Sequence, residues 1–265
     1  MLIDAHTHLD HFSETDLTPA LGEIDQLGIY TLSVSMDLPS WEKNCDIAKR
    51  STLVTPAFGI HPWKAPDYAA HLDRLDQATR ECAWFGEVGL DYYFIEEKDE
   101  YPAQRAVFEY FLAAARDQKK IVNLHTKGAE EDVLRLLEQY SIERAIVHWY
   151  SGPMDIFRKL VDRGYYFTVG VEVMRSEHIR EIARAIPADR LLTETDNPGG
   201  QKWLEGYEGM PRLILDVVVA LAELRGTTPV PLVDTVQQNF LRLVGDDARL
   251  APVRAALLNL TEPHA

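Results

Sequence analysis

The chain opens with the stretch Leu2-Ile3-Asp4-Ala5-His6-Thr7-His8, in which apolar residues lead into two histidines that are two positions apart. Side chains alternate between the two faces of a β-strand, so this spacing puts His6 and His8 on the same face. Two neutral imidazoles directed at one point form only part of a metal site, and we expect later segments to supply more ligands. The stretch therefore predicts a β-strand whose end carries metal ligands.

Short apolar runs of this kind alternate with segments of helical periodicity along the rest of the chain. The predicted strands span residues 2–5, 30–36, 53–59, 83–88, 121–124, 144–147, 165–171 and 191–194. The predicted helices include residues 68–82, 104–118, 132–140, 156–164 and 177–186, followed by additional C-terminal helices at 212–225, 232–244 and 248–258. Eight such repeats in 265 residues are typical of a TIM barrel. We therefore expect the α/β class and a single (β/α)8 barrel domain over residues 1–265.

The composition is that of an ordinary globular protein, with 46% hydrophobic and 26% charged residues. No apolar stretch approaches the roughly 20 residues that a membrane span needs, and no targeting pattern is visible, so the sequence predicts a cytoplasmic protein. A net charge of −15 argues against a broad electrostatic surface for nucleic acid. Nothing in the sequence indicates an obligate protein partner.

Polar side chains follow several predicted strands, at the end where TIM-barrel enzymes build their active sites. Six of them carry the imidazole or carboxylate groups that hold metal ions, and these are His6, His8, Glu87, His125, His148 and Asp196. Six ligands exceed the needs of one tetrahedral ion but suit two divalent ions that share a carboxylate. The mixed nitrogen and oxygen donors favour Zn, Mn, Co or Fe over Mg, which prefers more oxygen ligands.

Neighbouring residues have more than one interpretation. Asp4, Asp91 and Glu194 either orient the metal ligands through hydrogen bonds or satisfy backbone donors. Aromatic residues such as Trp63 and Tyr93 either stack on exposed nucleobases or cover the end of the barrel.

Taken in order, these motifs resemble the TatD-type metal-dependent deoxyribonucleases and hydrolases of the amidohydrolase superfamily. The matching motifs are Asp-x-His-x-His at 4–8, Gly-x-His-Pro at 59–62, Gly-Glu-x-Gly-Leu-Asp at 86–91, the histidines at 125 and 148, Glu-Thr-Asp-x-Pro at 194–198 and Asn-Phe-Leu-Arg-Leu at 239–243. The resemblance covers nearly the whole chain, and the ordered set is far more specific than any single motif.

The resemblance implies a role for each matching residue. One ion would be held by His6, His8 and Asp196, and the other by His125 and His148, with Glu87 bridging the two. His61 and Lys127 would contact the substrate phosphate. Many members of the family have an arginine at the position of Lys127, and lysine does not form the bidentate contact to phosphate that arginine forms.

The resemblance also implies a divalent-metal-dependent hydrolase that cleaves phosphodiester bonds of DNA or oligonucleotides in the manner of an exonuclease. A metal-activated water would attack phosphorus, with Asp196 and Glu87 as the catalytic residues and Asp196 as the proton acceptor. The alternative is hydrolysis of an amide, a lactone or an aminoacyl ester at the same centre. A metal-dependent binding barrel without catalysis is a third interpretation.

Overall fold

The computed structural model describes residues 1–259, in which eight strands alternate with helices. The strands are β1 (Leu2–Thr7), β2 (Ile29–Val34), β3 (Val54–Ala57), β4 (Trp84–Gly89), β5 (Ile121–His125), β6 (Ala145–Val147), β7 (Tyr166–Val169) and β8 (Leu191–Thr193). The helices are α1 (Glu14–Leu27), α2 (Leu38–Ala48), α3 (Asp76–Glu81), α4 (Tyr101–Gln118), α5 (Glu130–Gln139), α6 (Met154–Asp162), α7 (Glu177–Ala185), α8 (Gly199–Glu205), α9 (Ile214–Leu224), α10 (Pro229–Val244) and α11 (Ala251–Asn259). The eight predicted strands are confirmed, with ends that differ by a few residues.

One helix differs from the prediction. The periodicity predicts a helix over residues 68–82, but the structure has a 3-10 turn at Leu72–Leu75 followed by the short helix α3. Apolar residues three positions apart fit a 3-10 turn as well as an α-helix, so periodicity does not separate the two. The three predicted C-terminal helices are confirmed by α9, α10 and α11.

The chain forms two compact units, and the first comprises residues 1–33, residues 44–55 and the chain from Phe167 onward. In this unit β1 pairs in parallel with β2, and β7 pairs in parallel with β8. The Thr31 N–H donates to Leu53 O at 2.8 Å, which brings the start of β3 beside β2. The first strand also lies beside the last, because the Asp196 N–H donates to His6 O at 3.0 Å. A neighbouring first and last strand is what closure of a barrel requires.

Helix α10 covers this pair of strands with an apolar face. Phe240 on α10 is fully buried, and its ring centroid lies 5.4 Å from that of the buried Tyr30 on β2. The packing fixes the strands whose ends carry the first group of polar side chains.

The second unit comprises residues 34–43 and 56–166. Here β4 pairs in parallel with β5, and β5 pairs in parallel with β6. A parallel bridge between Phe58 and Phe85 brings the chain after β3 beside β4. Helix α4 covers these strands, with the ring of Phe111 5.5 Å from that of Phe58 and 5.3 Å from that of Phe85.

None of the helices within residues 1–259 is long and apolar enough to cross a membrane. A single domain over residues 1–265 stays a prediction.

Candidate metal centre

The first unit brings together three predicted ligands at the ends of β1 and β8. His6 lies near the end of β1, His8 directly follows that strand, and Asp196 lies three residues beyond β8. The Nε2 atoms of His6 and His8 lie 3.6 and 3.5 Å from Asp196 Oδ1, which is longer than an ordinary hydrogen bond. Two ligand atoms that are each about 2.1 Å from a tetrahedral ion lie about 3.4 Å apart. The spacing of these donors therefore fits a metal ion.

The backbone at Asp196 is unusual. Its φ of 51° lies in the left-handed region, which favours glycine but which Asp adopts more readily than most residues. Its N–H is bonded to β1 through His6 O, so the hydrogen bond helps to hold this conformation. Strained conformations of this kind persist mainly where a functional side chain must be aimed.

Asp4 contacts the segment after β8. Its two carboxylate oxygens accept hydrogen bonds from the N–H (2.9 Å) and the hydroxyl (2.6 Å) of Thr195, which lies between Glu194 and Asp196. Burial raises the pKa of Asp4 to about 7, the bonds from Thr195 oppose that rise, and the charge of Glu194 adds to it. Asp4 thus holds the backbone that carries Asp196, whereas Glu194 is buried beside Gly170.

The second unit gathers three histidines around one carboxylate oxygen of Glu87. The Oε1 atom of Glu87, on β4, lies 2.7 Å from His125 Nδ1, 3.4 Å from His148 Nε2 and 3.7 Å from His61 Nε2. All four side chains are buried. Donor atoms of His61, Glu87 and His125 lie within 4.8 Å of one another. This unit therefore also contains a set of donors suited to a metal ion.

The chain just before His61 packs tightly against the backbone of Glu87. A Cβ atom at Gly59 would overlap the backbone of Glu87, so glycine is needed two residues before His61. His61 is oriented in turn by the Trp63 N–H, which donates to His61 Nδ1 at 3.2 Å. This bond leaves Nε2 as the ring nitrogen that faces Glu87.

Asp91 is the centre of a compact hydrogen-bond network. Its Oδ2 lies 2.9 Å from His125 Nε2 and accepts a hydrogen bond from the Trp63 indole N–H at 2.8 Å. Its Oδ1 accepts from the backbone N–H groups of Tyr93 (2.9 Å) and Phe94 (2.8 Å). A carboxylate that binds the outer nitrogen of a metal-binding histidine fixes the orientation and the tautomer of the ring.

The two partners in this network shift each other's pKa. Burial acts to raise the pKa of Asp91, but the hydrogen bond and charge of His125, with the bonds from Phe94 and Trp63, lower it to about 2. Burial acts to lower the pKa of His125, but its bonds to Asp91 and Glu87 outweigh burial and raise it. The metal-free pair is therefore strongly polarised, with negative charge on Asp91.

Lys127 lies two residues beyond β5 and is half-buried. Its ammonium group donates to Trp149 O at 3.0 Å and to Ser151 Oγ at 2.9 Å, and lies 5.3 Å from the centroid of the Trp149 ring. These contacts hold a positive charge at the ends of β5 and β6.

Sequence reasoning missed one residue of this region. Gln104, on α4, donates through Nε2 to Asp91 O at 3.0 Å and accepts from the Asp91 N–H through Oε1 at 2.8 Å. Gln104 is buried and is separated from Asp91 by a loop and a helical turn. A single polar residue on a helix gives no sequence signal for such a contact.

Buried imidazole and carboxylate donors at the ends of parallel strands define a class of protein, the metal-dependent hydrolases with an α/β barrel fold. A solved structure supports the fold: YJJV, a TatD homolog from Escherichia coli K12, matches with a TM-score of 0.82 and 24% sequence identity. The match covers 91% of this chain and 97% of that structure. The predicted (β/α)8-type fold is therefore confirmed.

The family follows from the sequence comparisons. The family model described as TatD related DNase matches residues 3–245. A metal-dependent hydrolase of Escherichia coli K12, YcfH, is 30% identical over 96% of this chain and 99% of its own length. The deoxyribonuclease Tat-D of Schizosaccharomyces pombe is 28% identical over 73% of this chain and 66% of its own length. The chain belongs to the TatD-related DNase family and is a metal-dependent hydrolase.

Proposed function

We propose that the protein cleaves phosphodiester bonds of DNA or short oligonucleotides from an end, with two divalent metal ions as cofactors. The observation that carries this proposal is the grouping of His61, His125 and His148 around Glu87 Oε1. The family description and the deoxyribonuclease among the relatives support the choice of a phosphodiester. Zn, Mn, Co and Fe suit the mixed donors better than Mg.

Each unit contributes donor atoms for one of the two proposed metal ions. In the first unit His6, His8 and Asp196 would hold one ion through two imidazole nitrogens and a carboxylate oxygen. In the second unit His125, His148 and Glu87 supply the same donor types. When bound, such ions acidify water near neutral pH and stabilise negative charge on phosphoryl oxygens.

The remaining chemistry falls to side chains of the chain itself. Asp196 accepts the proton from the attacking water, a role that its 20% exposed side chain suits better than the fully buried His6. Asp91 keeps a proton of His125 on Nε2, so Nδ1, which lies 2.7 Å from Glu87 Oε1, is the ring nitrogen that would give up its proton to bind an ion. No serine or cysteine nucleophile is required.

Two further residues handle the anionic substrate in this proposal. His61 and Lys127 contact phosphoryl oxygens and stabilise the charge that develops there in the transition state. Lys127 acts as a point charge, because an ammonium group does not form the bidentate fork of a guanidinium.

The test compares hydrolysis of end-labelled single-stranded oligonucleotides, duplexes, nucleotide phosphodiesters, lactones and aminoacyl esters at one salt concentration with several metals. We expect metal-dependent release of nucleotides from single strands, and Asp196→Ala protein purified in parallel to be inactive. Activity in the Asp196→Ala preparation would identify a contaminating nuclease. Efficient turnover of the carbonyl substrates with every phosphodiester intact would refute the proposal and favour the ester or amide hydrolase.

A further inference from the structure

Three large aromatic side chains of the second unit are exposed, and one of them, Phe94, contacts both of the others. Trp63, Tyr93 and Phe94 are 45%, 67% and 43% exposed, values that are unusual for rings of this size. The rings of Trp63 and Phe94 are 5.8 Å apart, and those of Tyr93 and Phe94 are 4.8 Å apart, both in edge-to-face arrangements. We call these three residues the aromatic patch. An exposed apolar patch of this kind marks a binding surface.

The aromatic patch is continuous with the candidate metal centre. The ring of Trp63 lies edge-on to that of His61, with centroids 4.7 Å apart. Asp91 accepts hydrogen bonds from the Trp63 indole and from the Tyr93 and Phe94 backbone, and it also contacts His125. One buried carboxylate therefore holds all three members of the patch and a predicted metal ligand in fixed relation. The patch is built before any ligand arrives, which lowers the entropy lost on binding.

The charge around the aromatic patch indicates whether the patch binds the phosphates or the bases of a nucleic acid. The loop that follows Phe94 carries three exposed acids, Glu96, Glu97 and Asp99, against one exposed lysine, Lys98, and the whole chain has a net charge of −15. Such a surface gives a phosphate backbone little electrostatic attraction. Aromatic rings bind the flat faces of unpaired bases, and this interaction does not depend on base identity.

We propose that the aromatic patch is a stacking site for an unpaired nucleobase within the last few nucleotides of the substrate. The inference rests on the proposed phosphodiesterase function and names its preferred substrate, a single-stranded end. A base in a duplex is stacked on its neighbours and paired with the opposite strand, so a duplex end must fray before one of its bases reaches the patch. The patch thus provides by stacking the affinity that the acidic surface does not provide by charge.

The experiment measures binding and turnover separately, with the metal-loaded protein throughout. Binding uses fluorescein-labelled single strands with phosphorothioate linkages, which resist hydrolysis, followed by fluorescence anisotropy. Turnover uses the same strands with ordinary linkages. Each strand is prepared with all bases present and with one abasic residue at each of the last three positions in turn.

For the wild-type protein, an abasic residue at one of these positions should raise Kd and KM by about 5- to 150-fold, the equivalent of about 1–3 kcal/mol of base stacking. Phe94→Leu should weaken binding of the strand with all bases by a similar factor and leave binding of the abasic strand unchanged. The substitution keeps the bond to Asp91, because that bond comes from the Phe94 backbone. Trp63→Phe should keep most of the affinity, because stacking survives without the indole N–H, whereas Trp63→Leu should lose it. Val230→Ala, an exposed apolar residue of α10, is the control and should bind like wild type.

The outcomes separate this inference from the proposed function. Base-dependent binding that Phe94→Leu abolishes supports the stacking site, even if the strand is never cleaved, in which case the nuclease function alone fails. Cleavage with equal affinity for all strands, or with no effect of Phe94→Leu and Trp63→Leu, overturns the stacking site and leaves the nuclease function standing. Failure of wild-type protein to bind any strand overturns both.

Discussion

The substitution Asp91→Asn tests the hydrogen-bond network around His125 without a change of side-chain size. An amide offers one oxygen and one NH₂ group in place of two carboxylate oxygens. If its NH₂ group faces Trp63 and His125, it meets the Trp63 indole N–H, so two donors face each other. In the wild type this N–H donates to Asp91 Oδ2 at 2.8 Å. If it faces the Tyr93 and Phe94 backbone, two N–H groups lose their acceptor. Neither orientation satisfies the network.

The first orientation also reverses the tautomer of His125. An NH₂ group that donates to Nε2 drives the ring proton to Nδ1, the atom that lies 2.7 Å from Glu87 Oε1. Nδ1 then has no lone pair for a metal ion. Loss of such a supporting partner typically lowers metal affinity or activity by about 10- to 100-fold, and we expect Asp91→Asn to fall in that range.

The same substitution should destabilise the metal-free protein. A carboxyl whose pKa falls from 3.8 to about 2 on folding stabilises the folded state by about 2 kcal/mol at neutral pH. Because the folded-state pKa is the lower one, this stabilisation is present above about pH 4 and is lost as the pH falls through about 2. At neutral pH we expect the Tm of metal-free Asp91→Asn to lie about 4–8 °C below that of wild type.

Metal affinity is measured by equilibrium dialysis with elemental analysis, and Tm by circular dichroism after removal of metal. Asp132→Asn, which makes the same chemical change at a carboxylate that accepts from the Tyr92 hydroxyl, is the matched control. Asp132→Asn should keep wild-type metal affinity. Unchanged metal affinity and Tm in Asp91→Asn would refute the account of this network.

Three other perturbations test the proposed centre. Glu87→Ala should lower metal content from two ions toward none if Glu87 bridges, as the family resemblance implies. Loss of one ion would restrict Glu87 to the donors of its own unit, and an unchanged metal content on elemental analysis would exclude it as a ligand. Lys127→Ala should retain full metal content but raise KM for oligonucleotides by about 10-fold, whereas Lys127→Arg should keep near-normal KM. His148→Ala should lose metal, and an equal loss of metal in Lys127→Ala would contradict this division of roles. Removal of metal with a chelator should lower the Tm by several degrees, and readdition of Zn should restore it, since an ion at about 100 times its Kd stabilises the folded protein by about 2.7 kcal/mol. A Tm that is the same with and without metal would contradict a site that forms only on folding.

The sequence was sufficient for the features that depend on local pattern. Alternation along β1 predicts that His6 and His8 share a face, and their Nε2 atoms do converge on Asp196. The polar motifs after the apolar runs lie at strand ends, as a barrel requires. These results follow because a strand period of two and the direction of parallel strands together determine which end each side chain reaches.

Contacts between distant segments were beyond sequence reasoning. The two hydrogen bonds between the Gln104 side chain and the Asp91 backbone depend on how α4 packs over the loop after β4, and no sequence periodicity predicts them. The indole N–H of Trp63 likewise has no sequence signal for its acceptor. The sequence leaves two interpretations of Asp91, one in which it orients a metal ligand and one in which it satisfies backbone donors. In the structure Asp91 contacts His125 and also accepts from the Tyr93 and Phe94 backbone and the Trp63 indole, a combination that no local pattern predicts.

The contact between the first and last strands has a consequence for how the protein is made. His6 and His8 leave the ribosome long before their partner Asp196, which follows β8. A nascent chain that has not passed β8 therefore cannot complete this group of donors, however long it pauses. Pairing of segments so far apart in sequence is slow and tends to come late in folding. Capture of a metal ion there would mark a chain that extends beyond β8, and a product that ends before β8 would be unable to hold an ion at these donors.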